Sequence, residues 1–286
     1  MLKAKMGGQP VLRVLLKGDD DLADSLLGPG GGGREPARGL REVVTERYGG
    51  AFAVELDREP GARSDLLLQQ AEGAAAPASW RGDGMGEWAR AALAPPPTQF
   101  LNRPRDVVVL SLQPDLVRTL WRHRESGYLV DPPPGLPEAW GDAQKQWFSG
   151  QFAPTGLLPV AEFKENFSRL IRVVKERLGA HVLVFNCSTL DPDDDTCNYH
   201  GREDTLALRT HRFNLALMEI SMEEGISIID VERLISEMGG GQHVIGILRY
   251  SGAACEEIYQ ECLRVLADIA FFESRPLIMQ VGRRAK

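Results

Sequence analysis

Short apolar runs alternate along this chain with longer stretches in which apolar residues recur every three or four positions. Val11 to Leu16 (VLRVLL) is such a run, closed by Lys17-Gly18, and reads as a buried first strand. Ala51 to Leu56, Asp106 to Leu112 (DVVVLSL), His181 to Phe185 (HVLVF) and Ile226 to Ile229 repeat the pattern. The nearly unbroken Val and Leu of the third run suits a parallel strand covered on both faces. Between the runs, Gly39 to Tyr48 reads as a helix ended by Gly49-Gly50. Ala161 to Leu178 sets Phe163, Phe167, Leu170, Val174 and Leu178 on one helical face and stops at Gly179. Thr205 to Glu224 reads as a second amphipathic helix, closed by Gly225, and Ser251 to Phe271 as the last, with Ser251 as its N-cap. Strand and helix in alternation predict a three-layer α/β/α sandwich around a doubly wound parallel sheet of about five strands.

Two stretches break the rhythm. Gln113 to Val160 carries Trp121, Trp140, Trp147, Phe148 and Phe152, and is too long for a plain loop. It reads as an aromatic-rich insertion (113–160) within a single domain spanning 1–286. Gly73 to Pro97, rich in Ala and Pro, is a second irregular connection, and Gly28 to Gly33 (GPGGGG) is a loop.

Charge narrows the possible partners. With 40 acidic against 33 basic residues the net charge is −7, and no basic stripe is present, so nucleic acid is not an expected partner. No run approaches about 18 apolar residues, so no membrane span is expected. Lys3 and Lys5 precede no apolar segment of the secretory kind. Cys187, Cys197, Cys255 and Cys262 form no zinc spacing and read as thiols of a reducing, cytoplasmic setting. No cofactor signature is found, and none is expected.

In open parallel sheets ligands bind outside the carboxyl ends of the strands. Gly18-Asp19-Asp20-Asp21 follows the first strand, Pro60-Gly61-Ala62-Arg63-Ser64-Asp65 the second, and Gln113-Pro114-Asp115 the third. Together with the order of the later helices and strands, these segments resemble the SGNH, or GDSL, hydrolase family over most of the chain outside the insertion. The resemblance implies a flavodoxin-like sandwich and, in active members, ester hydrolysis. It also implies where the chemistry should sit, and there the residues depart from the pattern. The nucleophilic serine falls at Asp20, the oxyanion-binding asparagine at Pro114, and the final Asp-x-x-His at Ile245 and Leu248. Only Gly61, the backbone donor, is kept. A carboxylate is a poor replacement for an alkoxide, proline offers no N–H, and aliphatic side chains move no protons. A catalytically degenerate scaffold with a binding role is therefore expected, its ligand or protein partner meeting the insertion.

Two candidates would restore an esterase, acyl hydrolase or acyltransferase. Ser25, in Ala23-Asp24-Ser25-Leu26, is a displaced nucleophile, with Ser111 as a further choice, and His243 or His200 is a base. A metal-dependent enzyme is the third reading, with Asp19 to Asp21 and Asp191 to Asp195 supplying oxygen ligands, though no metal-site pattern is present and none is assigned. For ligand binding the candidates are Gly18, Asp19, Gly61, Asp115, Arg122 and His200. Arg122 belongs to a cluster with Arg118, Trp121, His123, Arg124 and Tyr128 suited to an anionic or planar molecule.

Overall fold

Successive side chains of a strand face opposite ways, and this alternation divides the interior into two cores. A computed structural model describes residues 5–6, 9–27, 39–81, 84–94, 100–132, 135, 139–190, 205–246, 248–269 and 272. Its main sheet contains β1 (Gln9–Lys17), β2 (Ala53–Glu59), β3 (Val107–Ser111), β4 (His181–Phe185) and β5 (Ser227–Ile229). They run parallel in the order β2-β1-β3-β4-β5, the flavodoxin-like order, and Lys5–Met6 pairs antiparallel with the start of β1.

The helices are α1 (Asp20–Leu26), α2 (Leu40–Arg47), α3 (Ser64–Ala71), α4 (Met85–Leu93), α5 (Gln113–Val117), α6 (Asp142–Gln151), α7 (Val160–Leu178), α8 (Leu206–Glu224), α9 (Val231–Glu237) and α10 (Gly252–Asp268). On one face of the sheet Leu12, Val14, Leu16, Val109 and Phe185 pack beneath α1, α2, α9 and α10. On the other, Leu15, Val108, Leu110 and Val184 pack beneath α3, α7 and α8. Each such Leu or Val contributes about 1.5–3 kcal/mol through burial. The expected sandwich is present.

Boundaries moved where turn chemistry intervened. Gly49 and Gly50 both hold positive φ, and the Ala51 N–H donates to the Tyr48 carbonyl, so β2 begins at Ala53 rather than Ala51. The last helix stops at Asp268, short of Phe271. Helix α8 has the expected bounds, and besides its charged residues the outer face exposes Leu208, Leu215, Met218 and Met222. GPGGGG lies outside the described residues.

The insertion forms α5, α6 and a small antiparallel ribbon of Leu129–Val130, Trp121–His123 and Phe152–Pro154. Its aromatics build a third core with Trp80 and Trp88 from the Gly73 to Pro97 connection. Trp88 meets Trp140 and Trp147 edge-on at 5.0 and 5.8 Å, so the two irregular stretches pack as one body. Buried arginines tie that body to the sandwich. Arg63 donates through Nη1 to the Arg118 carbonyl, the Gly156 carbonyl and Thr155 Oγ1. Arg209, on α8, donates to the carbonyls of Asp115, Leu116 and Leu158. Among the described residues no helix is long and apolar enough to cross a membrane.

Candidate functional site

The strand order reverses between β1 and β3, which opens a crevice beyond their carboxyl ends. Gly18 leads into it from β1. A side chain there would stand 2.5 Å from Leu22 and 2.8 Å from Ser111, so the close approach of β1 to β3 requires glycine. Gly61 is equally confined, because an added Cβ would meet Pro114 at 2.8 Å and the Asp19 carboxylate at 3.0 Å.

This packing seats Asp19 on the glycine. The Gly61 N–H donates to Asp19 Oδ1 at 3.1 Å, and Arg118 Nη2 donates to Oδ1 and Oδ2 at 2.8 and 2.7 Å. Arg118 Nη1 completes the clamp on the Gly61 carbonyl and Asp131 Oδ2, both at 2.9 Å. Burial works against the Arg118 charge, but Asp19 and Asp131 outweigh it and hold its pKa above the ordinary value. The backbone donor that the family resemblance singles out is thus already occupied by a carboxylate of the same chain.

The three aspartates after β1 point to three different partners. Asp20, where the resemblance places the nucleophile, is 61% exposed and pairs with Arg58 at 3.3 Å. Asp21 is buried and accepts a 2.5 Å bond from Ser111 Oγ. Burial, only partly offset by that bond, pushes its carboxyl up to about 6. Its Oδ1 has no partner among the described residues. Among those residues no group of three His, Cys, Asp or Glu is arranged to hold a metal ion. Asp191 to Asp195, Cys197 and His200 lie outside them.

The remaining candidates scatter. Asp115 is buried rather than facing the crevice, and accepts from Ser64 N and Oγ at 2.9 and 2.7 Å. Burial raises it to about 7 despite those bonds. Pro114 packs against Gly61. Ile245 points outward, whereas Leu248 is buried in the second core with φ of +54°, a backbone region that bulky residues rarely adopt. Ser25 is fully buried and donates to Cys255 Sγ at 3.8 Å, with no histidine in contact among the described residues. Ser111 is committed to Asp21.

His243 does meet a serine, though not one of those expected. Ser251 Oγ lies 3.0 Å from His243 Nδ1, and Nε2 lies 3.1 Å from the Met238 carbonyl. Nε2 also lies 3.3 Å from Gln242 Nε2, a donor, so the Met238 carbonyl and the Gln242 amide compete for the same ring nitrogen. The same Oγ accepts from Ala254 N at 3.3 Å as the N-cap of α10.

The arginine–aromatic cluster is sorted by strand alternation. Trp121 packs against the third core and His123 is buried, its Nδ1 2.9 Å from Ser126 Oγ. Arg122 and Arg124 line a trough of about 510 Å³, together with His123, Arg63, Leu157, Pro159 and Glu162. Ala153 stands opposite Arg122 across the ribbon and leaves the trough open. Arg118, grouped with them in the sequence, instead serves the crevice. Nothing in the sequence indicated that it would reach a carboxylate 99 residues away.

No protein-family model matches the chain, and no curated protein matches it. Solved structures do match. A lipolytic protein of the G-D-S-L family from Veillonella parvula is 13% identical, with 90% of this chain and 98% of that one covered and a TM-score of 0.47. An acetyl xylan esterase, AlAXEase, is 10% identical over 89% and 100%, with a TM-score of 0.49. Axe2, an acetylxylan esterase from Geobacillus stearothermophilus, is 11% identical over 88% and 93%, also at 0.49.

Proposed function

We propose that this chain is a non-hydrolytic binding protein on an SGNH-like scaffold, which takes a small anionic ligand beside its aromatic insertion. The observation that carries the reading is the Asp19 carboxylate seated on the Gly61 N–H and held there by Arg118. An oxyanion stabilised at that N–H would have to displace a carboxylate already paired with a guanidinium. No described serine, threonine or cysteine of the crevice has a histidine at hydrogen-bond distance to supply the base. The trough supports the binding half of the reading. Arg122 and Arg124 give planar donors suited to a carboxylate or phosphate, and Leu157 and Pro159 give an apolar wall.

Calorimetric titration with inorganic phosphate tests the binding half. Saturable binding weakened at least about tenfold in Arg122→Gln/Arg124→Gln is expected, since charge-assisted bonds contribute about 1.5–3 kcal/mol each. Binding unaffected by the double substitution, or no binding, would remove the trough from the account. Hydrolysis of p-nitrophenyl acetate tests the other half, and no rate above that of the unfolded chain is expected.

One observation favours a second reading. Ser251 and His243 form a hydroxyl–imidazole pair at 3.0 Å, with the imidazole oriented by Met238. An acyl hydrolase built there would lose its activity on Ser251→Ala.

A further inference from the structure

A second trough, of about 410 Å³, gathers four arginines from three distant segments of the chain. Arg13 lies on β1, Arg41 on α2, and Arg103 and Arg105 on the approach to β3. The last two place the trough at the amino end of β3, whereas the crevice opens beyond its carboxyl end. Glu55 and Asp57 of β2 share the lining, and meet Arg13 Nε at 3.4 Å and Arg105 Nη1 at 2.6 Å. Arg41 and Arg103 are exposed, and neither side chain has a hydrogen bond or ion pair among the described residues. The neighbouring Asp106 carboxylate accepts from the Arg13 N–H at 2.8 Å and does not line the trough. Four guanidiniums against two carboxylates leave the lining with a charge of +2, in a chain whose net charge is −7.

We propose that this trough binds a phosphate monoester dianion. Like charges brought to one cavity repel each other, and an anion between them replaces that repulsion with attraction. The charge of the lining matches a dianion, whereas a carboxylate offsets only half of it. Guanidinium groups also pair bidentately with phosphate oxygens, a geometry that an ammonium does not reproduce. Arg105 gives the site a fixed donor group. Its side chain is 3% exposed and tied to Asp57, and its Nε has no partner among the described residues. A buried donor left unpaired is costly, so acceptor oxygens drawn to this guanidinium are favoured. Arg41 and Arg103, exposed and unpaired, supply the mobile donors. Leu56 and Pro104 complete the lining and offer apolar surface to the organic part of an ester. The site shares no residue with the Arg122–Arg124 trough and stands independently of it.

Calorimetric titration of the full chain with phenyl phosphate tests this, at constant ionic strength and about pH 8, where a phosphate monoester is doubly ionised. The chain used carries Arg122→Gln/Arg124→Gln, so that the other trough does not report. Saturable binding with a Kd below about 1 mM is expected, together with a melting temperature that rises with ligand concentration. Adding Arg41→Gln/Arg103→Gln should weaken the binding at least about tenfold and abolish the rise in melting temperature. Without ligand that variant should melt no lower than its parent, because both side chains are exposed and their removal relieves repulsion. Benzoate, a monoanion of similar shape, should bind at least about tenfold more weakly than phenyl phosphate. Inorganic phosphate should bind more weakly than the ester, since it makes no use of Leu56 and Pro104. No saturable binding, or binding indifferent to Arg41→Gln/Arg103→Gln, would overturn the proposal. Benzoate binding as well as phenyl phosphate would overturn the requirement for a dianion, and inorganic phosphate binding equally well would overturn the ester.

Discussion

At the residue scale, two aspartates and a leucine carry measurable consequences. Asp21 holds its proton to about 6 and Asp115 to about 7, both because burial disfavours the carboxylate. A carboxyl whose pKa is raised on folding gives its full stability below the unfolded value of 3.8, and that stability is lost as pH rises through the folded value. Urea unfolding should therefore show stability falling between about pH 4 and 7 from these groups. In Asp21→Asn, whose amide oxygen can still accept from Ser111, the fall should be shallower. An unchanged slope would mean that Asp21 is ionised in the folded state. At Leu248 two effects compete. Glycine would relieve a left-handed residue, gaining about 1 kcal/mol, but would empty a buried leucine site at a cost of about 2–5 kcal/mol. The cavity wins, so Leu248→Gly should destabilise the fold by about 1–4 kcal/mol in the same assay. None of this was visible in the sequence. Burial of a carboxyl after a strand depends on which neighbour packs over it, and a positive φ at leucine has no local signature.

At the element scale, the strands and the long helices were legible because their patterns are local. VLRVLL, DVVVLSL and HVLVF are strands, and Gly179 and Gly225 end their helices in the left-handed conformation expected of glycine there. Helix α8 shows the limit of that reading. Periodicity registers the inner Phe213, Leu217 and Ile220, but not that the outer face mixes Leu208, Leu215, Met218 and Met222 with Arg212, Glu219 and Glu223. The anchoring of the insertion was likewise hidden, because Arg63 and Arg209 bind carbonyl oxygens, which every sequence has everywhere. Arg209 makes three such bonds while 6% exposed. Arg209→Met, which keeps the bulk and removes the donors, should cost about 2–4 kcal/mol by leaving buried carbonyls unpaired. A cost below about 0.5 kcal/mol would show that those carbonyls find other partners.

At the scale of the whole molecule, a flavodoxin-like sheet brings the segments after β1, β2 and β3 to one crevice, as the order of elements in the sequence implied. That catalytic groups are replaced at Asp20, Pro114, Ile245 and Leu248 is what the resemblance implies from the sequence alone. The clamp in the crevice was not legible there, because it joins Asp19, Gly61, Arg118 and Asp131 from distant parts of the chain. Removing its centre should be felt. Arg118→Gln should lower stability by about 1–3 kcal/mol, from two partly buried carboxylates left without their cation. The most direct test of the proposed non-hydrolytic role is a fluorophosphonate probe applied to the folded chain beside Ser251→Ala, since such probes react where a base activates a serine. Neither protein should be labelled. Labelling of the parent lost in Ser251→Ala would contradict the account and place an active hydrolase at the Ser251–His243 pair; labelling retained in both would contradict it through another serine.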